Sequence, residues 1–127
     1  MSFQFNAERG MIIVRAEIFG SRSSTVLRLA LDTGATSTMI SQSRLLQIGC
    51  DPSASPKRLQ ITTASGVEFV PRVSLDKIVA LGKEQPNFAV LAHTLPPSAS
   101  IDGLLGLGFL RGLNLHLDFR IGLLTLS

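Results

Sequence analysis

Apolar and polar positions along the chain alternate mostly with a period of two, the signature of strands with one buried face. Met11 to Phe19 is rich in β-branched residues and bounded by Gly10 and Gly20, which predicts a first strand. Small polar residues at 20–24 predict a turn, and Thr25 to Leu31 a returning strand that ends at Asp32-Thr33-Gly34. Ser41 to Leu46 predicts a short helix capped by Ser41 and ended by Gly49. The Asp51–Pro56 stretch, with two prolines, predicts a loop. Leu59 to Thr63 and Val67 to Val70 flank Ala64-Ser65-Gly66 and predict a β-hairpin, while Pro71 predicts an edge or a bend in the outgoing strand.

Val73 to Leu81 and Phe88 to Ala92 are further strand candidates, separated by residues 82–87, and residues 96–98 predict a loop. The glycine-rich run Gly103 to Arg111 predicts a strand end passing into one helical turn. Leu113 to Phe119 alternates strictly, and residues 120–122 turn it into a final strand, Leu123 to Leu126. Many short strands in 127 residues predict one β-rich domain, residues 1–127, of barrel or sandwich type.

Composition narrows the function classes. A hydrophobic content of 45% with 17% charged residues excludes a disordered tail, and a mean hydropathy of +0.34 hints at an apolar surface and self-association. Cys50 is the single cysteine, so neither a disulfide framework nor a cysteine metal cage is possible. No run has the length of a transmembrane helix, and Glu8 and Arg9 sit where an export signal would be apolar. The expectation is a protein of a reducing cytoplasm with no membrane insertion by this chain. The net charge is +3, yet the basic residues are scattered, with only Lys57 and Arg58 adjacent, and there is no Trp or Tyr to stack on bases. That distribution argues against a nucleic-acid partner.

Groups able to do chemistry are few. His93 and His116 have no partners at metal-ligand spacing, so no metal or other cofactor is expected. Gly103, Gly106 and Gly108 lack the order and context of a nucleotide loop, and close backbone packing is the better account of them. Asp102 reads as a functional acid or, more simply, as a turn residue. Asp32 stands out because the apolar run Leu27 to Leu31 delivers its carboxylate to the end of a buried strand, where it needs hydrogen bonds or a function. Gly34 would let the backbone turn sharply and offer N–H groups, and Thr33 adds a hydroxyl. Alone, such a triplet is also an ordinary Asp turn.

The segment Leu29-Ala30-Leu31-Asp32-Thr33-Gly34-Ala35-Thr36-Ser37 resembles the active-site segment of retropepsin-like aspartic proteases. Ile101 to Leu110, with Leu104 seventy-two positions after Asp32, resembles that family's hydrophobic-hydrophobic-Gly segment and its short helix. Residues 115–126 are similar to its closing strands, so the likeness covers residues 11–126. The resemblance implies an all-β, retropepsin-like closed barrel with one or two short helices, forming half of an acid-protease site.

It further implies an aspartic endopeptidase that hydrolyses extended peptides with apolar side chains near the scissile bond. The chain has one Asp-Thr-Gly, so a homodimer would bring Asp32 of each copy to the two-fold axis. Asp32, Thr33 and Gly34 are then the catalytic residues, with Thr33 bonding across the dimer. Ala35, Thr36 and the hairpin residues Thr63, Ala64, Ser65 and Gly66 are expected to meet substrate, the hairpin acting as a flap. Leu104, Leu105 and Gly106 are expected to pack behind the Asp32 loop. Two departures matter. Thr36 and Leu107 stand where retroviral members carry an ion pair, which points to cellular and bacterial relatives. Ala35 lacks a hydroxyl to stabilise the Asp32 carboxylate, so the expected optimum is weakly acidic; a rate profile peaking below about pH 3 would contradict that. The alternatives are a dimer of the same fold that binds a peptide or protein partner without cutting it, and an unrelated β-barrel with a chance triplet.

Overall fold

The computed structural model describes the backbone of all 127 residues and every side chain except that of Thr63. Its strands are β1 (Ser2–Gln4), β2 (Ile13–Phe19), β3 (Ser24–Leu31), β4 (Met39–Ile40), β5 (Arg58–Thr63), β6 (Gly66–Ala80), β7 (Lys83–Ala92), β8 (Gly103–Leu105), β9 (Leu115–Asp118) and β10 (Leu123–Leu126). The helices are α1 (Gln42–Gln47) and α2 (Leu107–Leu110), with single 3-10 turns at Pro52–Ala54 and Pro97–Ala99.

The strands β2-β3-β8-β4-β7-β6 pair in that order, and β6 pairs back with β2 through Ala16↔Ala80 to Phe19↔Lys77. The barrel is therefore closed, which removes the open edges that invite aggregation. Most of its ladder is antiparallel, but β3 runs parallel to β8 and β4 parallel to β7. A second sheet, β1-β10-β9, brings the two ends of the chain together, with Phe3 opposite Leu124.

Period-two patterning explains the core. Along β2, Val14, Ala16 and Ile18 point inward while Arg15 faces solvent. They meet Leu27, Leu29, Ile40, Leu45, Leu75, Ile78, Val90, Leu105 and Phe109, and Leu124 and Leu126 of the second sheet complete the cluster. Phe88 and Phe109 pack edge to face with centroids 6.0 Å apart.

Several local expectations need correction. Strand β6 runs unbroken through Pro71, which pairs with Arg58. The Arg72 N–H donates to Lys57 of the β5 side, so the Pro71 nitrogen faces the opposite side, beyond the last β7 partner, and no ladder bond is lost. Strand β7 begins at Lys83 rather than Phe88, because Leu81 and Gly82 both take positive φ (51° and 72°) and close a two-residue turn. Ser41 precedes α1 but makes no side-chain cap; the Gln42 N–H finds the hydroxyl of Thr94 instead, at 3.3 Å. Gly49, at φ 87°, ends α1 in the left-handed conformation, as the sequence predicts. The strands β1 and β4 carry no period-two signal, being three and two residues long.

Candidate active site

Asp32 lies one residue beyond β3, where the parallel pairing with β8 ends at Leu31↔Leu105. Its N–H donates to the Leu105 carbonyl at 2.9 Å and extends that ladder by one bond. The side chain is half-buried at the end of the barrel. Its Oδ1 accepts the Gly34 N–H at 2.9 Å, and its carbonyl accepts the Ala35 N–H at 3.2 Å, so the loop folds around the carboxylate. Gly34 is not in the left-handed region, and a sharp turn is not what calls for glycine there. A Cβ at that position would stand 3.2 Å from Oδ1 of Asp32, and this close approach is the constraint. Thr33, Gly34 and Thr36 are exposed, with Ala35 half-buried beside them.

The segment after Asp32 is fastened to the start of α2. A helix leaves its first N–H groups without internal partners. Here Leu107 donates to the Ala35 carbonyl at 2.8 Å and Gly108 to the Thr36 carbonyl at 3.0 Å. Gly106 donates to Oγ1 of Thr38 at 3.1 Å. A Cβ on Gly106 would lie 2.7 Å from the carbonyl oxygens of both Ala35 and Ser37, and one on Gly103 only 1.9 Å from that of Met39. Gly108 is different, since a Cβ there meets its nearest neighbour at 3.6 Å. Leu104 and Leu105 sit between β3 and β4, and Leu105 is fully buried.

The hairpin of β5 and β6 turns over Ala64 and Ser65, with Thr63 opposite Gly66 and Thr62 opposite Val67. Ala64, Ser65 and Gly66 are exposed, as are the apolar side chains of Val67 and Phe69. The side chain of Thr63 lies outside the described residues.

One participant escapes a reading of the sequence, and another takes a part the sequence does not suggest. Thr38, only 1% exposed, is the only buried polar residue among those described. Its signal is weak, because Thr36-Ser37-Thr38 reads as an ordinary polar loop. Asp102 is a clasp: its carboxylate takes the Arg28 N–H at 2.9 Å and the Arg44 Nε at 3.2 Å. Among the described residues no group of His, Cys, Asp and Glu is arranged to hold a metal ion. Nor is any described helix long and apolar enough to cross a membrane.

In overall structure the chain is similar to the crystal structure of a retropepsin-like aspartic protease from Rickettsia conorii. The TM-score is 0.73 at 22% identity, over 99% of this chain and 88% of that one. It is also similar to the EIAV protease complexed with the inhibitor HBY-793, with a TM-score of 0.61 at 18% identity, over 86% of this chain and 92% of that one. These likenesses establish the retropepsin-like fold. No curated protein sequence matches the chain. Residues 14–109, which contain both the Asp32 loop and the β8–α2 junction, match the family described as aspartyl protease, and the chain belongs to that family.

Proposed function

We propose that the protein is a homodimeric aspartic endopeptidase in which Asp32 of each copy meets its counterpart at a two-fold axis. The observation that carries this reading is the half-buried Asp32 carboxylate, held by the Gly34 N–H in a loop whose Thr33 and Gly34 are exposed in a single copy. Peptide hydrolysis by a water molecule needs a base for the water and an acid for the carbonyl. One chain brings a single Asp32, and an isologous pairing supplies the second from the same surface.

Two adjacent carboxylates cannot both ionise cheaply, so one of the pair holds a proton. The ionised Asp32 takes a proton from the shared water as it attacks the peptide carbon. The protonated Asp32 donates to the carbonyl oxygen. Collapse of the tetrahedral intermediate then breaks the C–N bond, with a proton passing to the leaving nitrogen. Thr33 bonds across the dimer and the Gly34 carbonyl accepts a substrate N–H. The hairpin tip at Thr63, Ala64, Ser65 and Gly66 closes over an extended peptide and excludes water. Ala35 and Thr36 line the same cleft. Val67 and Phe69, exposed near the hairpin tip, favour apolar substrate side chains.

The test is cleavage of denatured casein from pH 3 to 7 by wild type and Asp32→Ala, with mass measured in solution. Activity lost in a variant that keeps the dimer supports the shared pair. A folded wild-type dimer that cuts no peptide favours a binding module instead, and an obligate monomer overturns the mechanism.

A further inference from the structure

Thr38 is held from two sides: its carbonyl accepts the Leu91 N–H of β7 at 2.9 Å, and its hydroxyl accepts the N–H of buried Gly106 at 3.1 Å. Gly106 opens α2, whose next two N–H groups hold the Ala35 and Thr36 carbonyls of the Asp32 loop. The loop comes so close to Gly106 that a Cβ there would lie 2.7 Å from the Ala35 and Ser37 oxygens. On the other flank, Asp32 hangs from the carbonyl of Leu105, the residue before Gly106.

We infer that Thr38 is a positioning residue for Asp32, its buried hydroxyl fixing the height of the β8–α2 junction from which both ends of the Asp32 loop are suspended. The inference rests on the endopeptidase reading above and adds a residue to it. A neutral hydroxyl with no route to substrate acts here only through geometry. A buried N–H deprived of its acceptor is costly, and the junction would shift to find another. Small displacements of a catalytic group lower the rate far more than they lower substrate binding.

Thr38→Val keeps the shape and removes the acceptor, whereas Thr38→Ser keeps the hydroxyl. With a peptide substrate, kcat per folded dimer is expected to fall about tenfold or more in Thr38→Val, with KM changed less than about twofold. Thr38→Ser is expected to restore kcat to near the wild-type value. A Thr38→Val enzyme that is merely less heat-stable, with kcat intact below its melting point, overturns the inference.

Amide hydrogen exchange separates this inference from the reading beneath it. In wild type, the N–H groups of Gly106, Leu107 and Asp32 are expected to open together, and in Thr38→Val all three to exchange at least about tenfold faster than the barrel core. Gly106 opening independently of Asp32 overturns the link, even if Thr38→Val fails to fold. A wild-type chain that cuts nothing while these amides open together refutes the endopeptidase reading and, with it, the catalytic consequence of Thr38.

Discussion

Arg28 and Asp102 lie 74 residues apart, yet Oδ2 of Asp102 accepts the Arg28 N–H at 2.9 Å while the Asp102 N–H donates to the Arg28 carbonyl at 2.8 Å. Oδ1 of the same carboxylate takes Nε of Arg44 at 3.2 Å. One partly exposed side chain thus joins β3, the start of β8 and α1, four positions before Asp32 on the strand that delivers it. Asp102→Ala is expected to cost about 0.5–1.5 kcal/mol in denaturant unfolding, since it removes the acceptor of the exposed Arg28 N–H. Asp102→Asn keeps an acceptor and should cost less. A loss in Asp102→Ala below about 0.5 kcal/mol would reject the clasp.

The glycines of the β8–α2 segment should respond unequally to a methyl group. Gly103→Ala and Gly106→Ala drive a Cβ into backbone oxygens at 1.9 and 2.7 Å, and neither neighbour is a flexible side-chain end. Each is expected to cost at least about 3 kcal/mol or to prevent folding. Gly108→Ala meets only an ordinary contact at 3.6 Å within α2, so its stability should stay within about 1 kcal/mol of wild type. Thermal melts of the three variants decide this, and equal losses would contradict it.

Asp118 predicts a pH dependence of stability. Its carboxyl is held below the usual carboxylate range, first by the Arg120 guanidinium and then by the Arg120 N–H. The folded-state value is the lower one. The stabilisation is therefore fully present above the unfolded carboxylate value of about 3.9 and is lost as the pH falls through the folded value. Melting temperatures of wild type and Asp118→Asn should differ at neutral pH and converge in acid. A gap that widens toward acid would contradict the sign.

Cys50 should be a slow thiol. Burial pushes its pKa up, the Asp76 carboxylate pushes it further, and a hydrogen bond from the Ser21 backbone acts in the opposite direction. Less thiolate at neutral pH means slower attack on a disulfide reagent. Reaction at pH 7–8 is expected to be several-fold slower than that of free cysteine, and faster in Asp76→Asn. A wild-type rate equal to that of free cysteine would refute this account.

Much of the barrel is legible in the sequence because its strands are long enough to alternate. Ile13–Phe19, Ser24–Leu31 and Leu123–Leu126 fall within a residue or two of the runs that predict them. The strands that escape notice are Ser2–Gln4 and Met39–Ile40, too short to show a period. Pro71 misleads for another reason. Whether a missing N–H matters depends on which side of the strand it faces, and that is a property of the sheet.

Sequence alone determined the longer strands and the Asp32-Thr33-Gly34 and Leu104-Leu105-Gly106 segments, because each rests on neighbouring residues and local backbone preference. It also determined that a single chain brings only one such triplet. Tertiary structure alone decided which distant groups satisfy which hydrogen bonds: Thr94 rather than Ser41 beneath α1, Asp102 on Arg28, and Thr38 on Gly106. Those partners are brought together by the pairings of β8 with β3 and β4 and of β4 with β7, which join residues 52 to 74 positions apart. A backbone N–H donates to whatever oxygen the fold presents, and no local pattern in the chain encodes that choice.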